Sequence, residues 1–326
     1  MLSKMLVVGA ALAIVAMSSS AQTWAPQKNV EIVVGSAPGG SNDKTARTVE
    51  RILVQGKLIP SSLTVNNRPG GGSNIAFNYV AQHAGDPHYL LVGTPSLLTN
   101  HITGLGKLHH NDFTPIASLF NDYIVFAVNA SSPIRNGKDL VERLKKDPKS
   151  LTIGFATTLG SHNHIGAGLL AKAIGVNARD LKVVAYKGSA DAITNLLGSH
   201  IDLVTTAAGN IAAHVASGKL RVVGVAATQR FGGDLANVPT WKEQGVDLVF
   251  GGWRAILAPK GLTPQQSAYW EGVLRKATEA PEWKADIAKN YWSNDFVTGA
   301  QFRKDLDKDY ADMKAVLVDI GLAKQP

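Results

Sequence analysis

The chain has 326 residues, 45% hydrophobic and 18% charged, which excludes a disordered protein and is long enough for two α/β domains with real cores. Its formal charge is +8, yet no lysine-arginine run with interleaved aromatics is present, so the basic balance points to small anions rather than nucleic acid. There is no cysteine, which excludes disulfides and a cysteine-borne lipid anchor, so stability has to come from the core.

In chain order, residues 1–21 read as a secretory signal peptide. Lys4 gives the positive start, Met5 to Met17 is an apolar stretch too short to span a bilayer, and Ser19-Ser20-Ala21 is a small-residue cleavage site. Cleavage near Ala21 removes Lys4, the one charged residue of the segment, and takes the charge from +8 to +7. No later stretch is apolar enough for a transmembrane helix. The mature protein is therefore expected to be exported and not membrane-embedded.

Asn29 to Leu53 is the stretch around which the rest is organised. Val30, Ile32, Val33 and Val34 form a β-branched run of the kind buried on both faces of a sheet. Pro38, Gly39 and Gly40 make a turn, Ser41 is a good N-cap, and Asp43 suits the first turn of a helix. Ala46, Val49 and Leu53 then share one helical face. A strand running through a glycine loop into a helix N-terminus exposes unpaired N–H groups, a seat for an anion. Gly35 and Gly40 have the spacing of a phosphate-binding loop, but Ser41 and Asn42 follow where a lysine is needed, and G-x-G-x-x-G is absent.

The pattern recurs. Leu63–Asn67 is a strand feeding Arg68-Pro-Gly-Gly-Gly-Ser-Asn74, and Tyr89–Val92 ends at Gly93-Thr94-Pro95-Ser96. Phe113–Leu119 and Tyr123–Val128 read as two strands, and a helix follows from about Lys138 to Lys146. Leu151–Phe155 feeds Ala156-Thr157-Thr158-Leu159-Gly160-Ser161 and a helix through Ile174. Leu181–Tyr186 leads through Lys187-Gly188-Ser189 into a helix, and Ile201–Val204 through Thr205–Asn210 into another. Leu220–Ala226 and Val249–Ala258 are further strands, and helices over Thr263–Glu279, Glu282–Asn290 and Ala300–Asp319 close the chain. Alternating strands and helices mean a largely parallel sheet with ligands at the carboxyl ends of its strands. At least five of those ends carry Gly, Ser, Thr or Asn and few carry acids, the composition of a site that holds an anion by N–H and O–H groups.

Several residues invite sharper readings. His162-x-His164 has metal-like chemistry, but ligands at i and i+2 do not share a helix face and no third ligand is evident. His162 as a hydrogen-bond donor to a ligand fits better. Ser41 or Ser161 as a nucleophile would need a base and an orienting acid, and no G-x-S-x-G elbow is present. His109-His110 reads as a surface turn, and Trp253 as a core anchor. Arg254 is either a solvent-facing strand residue or a cleft residue that takes a carboxylate bidentately.

The chain resembles the periplasmic solute-binding proteins of tripartite tricarboxylate transporters, also called Bug proteins. The matching stretches are PGGSND at Pro38–Asp43, NNRPGGGSNIA at Asn66–Ala76, LLVGT at Leu90–Thr94, YKGSADAITNLLGSHIDL at Tyr186–Leu203, SGKLRVVGV at Ser217–Val225, NVPTWKEQG at Asn237–Gly245 and GGWRAILAPKGLTP at Gly251–Pro264. They follow the family's order over nearly the whole mature chain. The resemblance implies a periplasmic-binding-protein-like α/β fold: two α/β domains joined by two crossing strands, with a ligand cleft between them. Domain 1 is expected to comprise 22–125 plus 250–326, and domain 2 to comprise 126–249. The crossings are expected near Tyr123–Val128 and Phe250–Leu257. It implies a small organic carboxylate as ligand, no cofactor, no metal, no catalysis, a periplasmic location, a monomer, and delivery to transporter subunits or a sensor. Carried over by position, Gly39, Gly40, Ser41, Asn42 and Thr94 serve from the first domain, and Thr157, Thr158, Gly160, Ser161 and His162 from the second. Thr206, standing where the family often has an acid, and Arg254, standing where it usually has a small or uncharged residue, complete the candidate site. The alternative is an exported hydrolase-like α/β enzyme acting on a small carboxylate or ester.

Overall fold

The computed structural model describes residues 24–38, 41–156, 158–186 and 188–324. The signal segment 1–21 lies outside them. Among the described residues, β1 (Val30–Val34), α1 (Ser41–Gln55), β2 (Leu63–Asn67), α2 (Asn74–Ala81), β3 (Tyr89–Gly93) and α3 (Ser96–Ile102) make the first alternating run. Then come β4 (Phe113–Asn129), α4 (Gly137–Lys146), β5 (Thr152–Ala156), α5 (His162–Ala173), β6 (Lys182–Tyr186) and α6 (Ser189–Leu197). The chain continues through β7 (Leu203–Ala207), α7 (Ala208–Ala216), β8 (Leu220–Val225), β9 (Gly251–Pro259), α8 (Pro264–Glu279), α9 (Pro281–Lys289), β10 (Val297–Thr298) and α10 (Gly299–Asp319).

β1 is buried along its length except at Glu31 and pairs in parallel with β2 and β3, as its unbroken apolar run requires. The ten described strands join in one sheet with the order β2-β1-β3-β9-β4-β7-β5-β6, while β8 and β10 also pair with β4. β4 is the long member at 17 residues. Its first part, Phe113–Tyr123, pairs antiparallel with β9, and its last part, Ile124–Asn129, with β7 and β8. The sequence reads as two strands here, Phe113–Leu119 and Tyr123–Val128, where the chain forms one. Register shifts after Pro115 and Ser118 instead carry the strand on and bend it, the work of β-bulges. The chain returns at Phe250, whose N–H donates to the Ala226 carbonyl (2.8 Å) and whose carbonyl accepts from the Ile124 N–H (3.2 Å). From Gly251 onward it pairs with Tyr123 and the residues before it. The first half of the sheet thus holds β1, β2, β3, β9 and the start of β4, and the second holds β5 to β8 and its end.

The helices cover both faces. α1, α8 and α9 cover one face of the first half through Val49, Leu53, Trp270, Leu274 and Trp283. α6 and α7 cover one face of the second through Ile193, Leu196 and Ile211. On the remaining face a single apolar cluster runs through both halves, joining Val33 and Leu91 to Ile153, Leu203 and Leu317. The loop that carries the second glycine cluster has positive φ at Gly70 (123°), Gly71 (56°) and Gly72 (64°). That is why glycine fills all three positions. His109-His110 is not a surface turn: His110 is 2% exposed and its Nε2 lies 2.7 Å from the Asp307 carboxylate on α10. α10, far away in the sequence, packs over it through Asp307 and Tyr310.

Trp270 sits at the centre of the α8 face, fully buried, with its indole N–H donating to the Pro87 carbonyl at 2.9 Å. Trp270→Ala should lower unfolding free energy by about 3–5 kcal/mol, since it opens a cavity and orphans that carbonyl. Urea denaturation followed by circular dichroism reads this directly, and a loss under about 1 kcal/mol would contradict the packing described.

Candidate functional site

A cavity of about 640 Å³ opens between the two halves, at the carboxyl ends of the strands. Asn42 lines it from the first turn of α1, and Ser73 from the glycine loop after β2. Thr94, Ser96 and Asn100 line it from the end of β3 and from α3. Thr158, Gly160, Ser161 and His162 line it from the β5–α5 loop and the start of α5. Arg254 of β9 forms part of the floor, and Leu105, Leu159, Leu322 and Lys324 lie at the mouth.

The β5–α5 loop is held by its own backbone and by one imidazole. Gly160 N–H donates to Nδ1 of His164 (2.9 Å), and the His164 ring stacks on Phe155 with centroids 4.7 Å apart. Burial holds the pKa of His164 down at about 4, so the ring accepts that bond as the neutral form. Ser161 N–H donates to the Thr158 carbonyl (3.1 Å), and its hydroxyl donates to the Ala156 carbonyl (3.1 Å). Ser161 is the N-cap of α5 but makes no side-chain cap bond. This 12-residue helix therefore starts without a side-chain capping oxygen, and its first residue, His162, lines the cavity, an arrangement that can receive an anion.

Across the cavity, the first half presents hydroxyls and amides. The Thr94 and Ser96 hydroxyls are 2.7 Å apart, and the Asn100 amide donates to the Gly72 carbonyl at 2.8 Å. Asp43, near the mouth of α1, is taken up by structure: its carboxylate accepts from Arg47 (3.0 Å) and Asn67 (2.9 Å) and pins α1 to β2.

The floor is electrostatically specific. Nη1 of Arg254 donates to the carbonyls of Gly252 (2.9 Å) and Trp253 (3.2 Å). His162 lies against the same turn of β9: a Cβ added to Gly252 would stand 2.9 Å from His162 Nε2. Burial, with the Arg254 charge adding to it, drives the pKa of His162 down to about 3, so this ring is neutral. Asp122 is the nearby counter-charge. Burial raises its carboxyl to about 6, against the pull of Arg254 and the Trp292 indole. Among the described residues that line the cavity there is no Asp or Glu.

Of the residues expected from sequence, Asn42, Thr94, Thr158, Gly160, Ser161, His162 and Arg254 come together around this cavity. Gly39, Gly40 and Thr157 lie outside the described residues, and of Ser41 only the backbone, at the start of α1, is described. Thr206 does not line the cavity. It is 1% exposed near the end of β7, where its hydroxyl accepts from the Asn210 amide (3.0 Å) and lies 3.5 Å from the Ser189 hydroxyl. Trp253 is core, 4% exposed and edge-to-face with Phe302. Ser73, Ser96, Asn100, Leu322 and Lys324 were not in the expected set. Pro95-Ser96 carried a signal, a helix opening straight after a strand, whereas nothing local marks Leu322 and Lys324.

The family model described as tripartite tricarboxylate transporter family receptor matches residues 46–322. The protein BugT of Bordetella pertussis is 27% identical over 256 residues, 77% of this chain and 76% of BugT. A TctC solute-binding protein from Polaromonas, solved without ligand, superposes with a TM-score of 0.79 at 26% identity over 90% of this chain and 99% of that one. Rpa4515 of R. palustris, solved with adipate, shares the fold at a TM-score of 0.74 and 24% identity, over 91% of this chain and 99% of its own. With most of its length matched by the family model, the chain belongs to the tripartite tricarboxylate transporter receptor family, and its fold is that of the family's solute-binding proteins.

Proposed function

We propose that this protein captures a small organic carboxylate in the cavity between its halves and delivers it, after export, to a tripartite tricarboxylate-type membrane transporter. The observation that carries the reading is the cavity's one-sided chemistry. The uncapped start of α5, hydroxyls, amides, Arg254 and Lys324 line it, and no described lining residue is an acid. The solved relative with adipate supports the same ligand class. Asn42 and Ser73 on one side and Thr158, Ser161 and His162 on the other would grip one carboxylate, with Arg254 beside it. Export rests on the signal-like segment 1–21; among the described residues, no helix is long and apolar enough to cross a membrane.

A binding role without turnover fits how the reactive-looking groups are used. The Ser161 hydroxyl donates to a backbone carbonyl rather than to a base, and the Thr94 and Ser96 hydroxyls bond each other. A nucleophile needs a neighbouring base to activate it.

A panel of mono- and dicarboxylates scored by thermal shift and calorimetry tests the reading. A bound acid at a hundred times its dissociation constant adds about 2.7 kcal/mol to stability. Arg254→Ala should weaken the best acid by about 2–3 kcal/mol if the guanidinium meets a desolvated carboxylate. A panel in which no acid raises the melting temperature would sink the proposal.

The floor also sets a pH dependence. Above about 6 the Asp122 carboxylate is ionised and offsets Arg254. An anion arriving beside Arg254 disfavours that ionisation further, so binding takes up protons and affinity rises as pH falls from 8 to 5.5. The expected gain is on the order of threefold, a displacement of roughly half a pKa unit. His162, neutral down to about 3, adds nothing in this window. Asp122→Asn should flatten the profile and raise affinity at pH 8; a variant as pH-dependent as the wild type would remove Asp122 from the account. The same raised pKa has a stability consequence of fixed sign. The folded form holds the proton more tightly than the unfolded form, so this contribution is complete below pH 3.8 and is lost as pH rises through 6.

A further inference from the structure

The segment after α10 enters the cavity. Gly321 turns it in the left-handed region (φ 75°), Leu322 and Ala323 N–H groups return to the Leu317 carbonyl at 2.8 and 3.0 Å, and Lys324 N–H donates to the Ile102 carbonyl at 2.9 Å. The last bond ties the tail to the end of α3. A Cβ on Gly104 would lie 3.3 Å from Lys324 Cβ and 3.5 Å from its Cδ, so the lysine stem runs along the bare Gly104 backbone. The side chain is exposed and lines the cavity mouth.

Arg254 stands at the other end of the same helix. β3 and β9 pair antiparallel with Gly93 opposite Ala255, and continuing that register brings Thr94, just before α3, opposite Arg254. The cavity's two basic side chains, Arg254 and Lys324, are thus rooted beside opposite ends of α3, which at 7 residues spans about 10 Å. Three apolar side chains, Leu105, Leu159 and Leu322, line the same cavity. Because their backbones are a helix length apart, a carboxylate held beside Arg254 leaves Lys324 available to a second acidic group on the same ligand.

We propose that Lys324 is a specificity-determining residue that engages the distal carboxylate of an α,ω-dicarboxylate whose first carboxylate sits at the α5 N-terminus beside Arg254. The inference rests on the carboxylate reading above and narrows it to acids with an apolar spacer between their two charged ends. Directly adjoining carboxylates, as in a very short diacid, satisfy one cation and leave the other.

Calorimetry with adipate, succinate and hexanoate separates the possibilities. The wild type should bind adipate more tightly than either succinate or hexanoate. Lys324→Gln should weaken adipate by about tenfold, the worth of one charge-assisted hydrogen bond, while hexanoate changes by less than about twofold. Lys324→Arg should restore most of the adipate affinity. The lysine side chain is exposed and the tail is held through backbone groups, so these variants keep the fold, which a melting curve without ligand checks. Adipate and hexanoate weakened to the same degree by Lys324→Gln, or adipate unaffected, overturns the role of Lys324 with the carboxylate reading intact. A wild type that binds none of the acids overturns that reading itself, and this inference with it.

Discussion

The structure depends on one long strand. β4 forms antiparallel ladders with β9 along its first part and with β7 and β8 along its last, so two half-sheets share a single backbone. Parallel strands within each half need helical crossovers, and those crossovers put the N-termini of α1, α2 and α3 on the carboxyl edge of the first half and those of α5, α6 and α7 on the carboxyl edge of the second. The bulged middle of β4, with the return at Phe250, turns the two carboxyl edges to face one another. The α1 and α5 starts then lie on opposite walls of one cavity. The cavity follows from strand pairing, and the side chains only tune it.

That tuning separates charge from titration. Arg254 supplies a charge that pH does not alter in the working range. The imidazole beside it is kept neutral by the same burial and the same guanidinium, so His162 offers one donor and one acceptor instead of a second cation. Asp122 beside Arg254 then becomes the group that decides the net charge of the floor near neutral pH. A buried guanidinium without a nearby carboxyl would carry a large desolvation cost, while one fully paired would have less field left for a ligand. Raising Asp122 to about 6 puts this floor between those limits.

The parts of this design readable from sequence are those with local chemistry. The all-apolar Val30–Val34, the recurrent glycine-rich strand ends and the capping residues identify the α/β alternation, and β1, β2 and the three last long helices fall within a few residues of where the pattern puts them. Arg254 could not be assigned a side from sequence, because a strand's period of two decides the side only once the register is known, and β9 pairs with β4 through two register shifts. Thr206 is a cleft candidate in sequence because it stands where the resembled family often has an acid, but pleating and the pairing with Val125 turn it under α6 and α7. His110 and Lys324 were out of reach for another reason. What buries the first and positions the second are bonds to Asp307 and to Ile102, residues 197 and 222 positions away in the chain.

α10 adds a constraint that the two crossing strands alone do not supply. At its start, Arg303 donates to the Phe113 carbonyl (2.9 Å) and the Asn111 amide oxygen (2.7 Å), and Asp307 meets His110, all in the first half. At its end, the Arg179 guanidinium caps the Val318 and Asp319 carbonyls, and Lys172 pairs with Asp319 at 3.4 Å, both from the second half. A 21-residue helix is about 30 Å of stiff rod, and this one is fixed at both ends. Opening the halves like a book would tear one of these anchorages, whereas a turn about the rod strains neither. The polar contacts at the α10 end are made by exposed side chains, but beneath them Val316 and Leu317 are buried in the apolar cluster that α5 shares, so both ends are anchored.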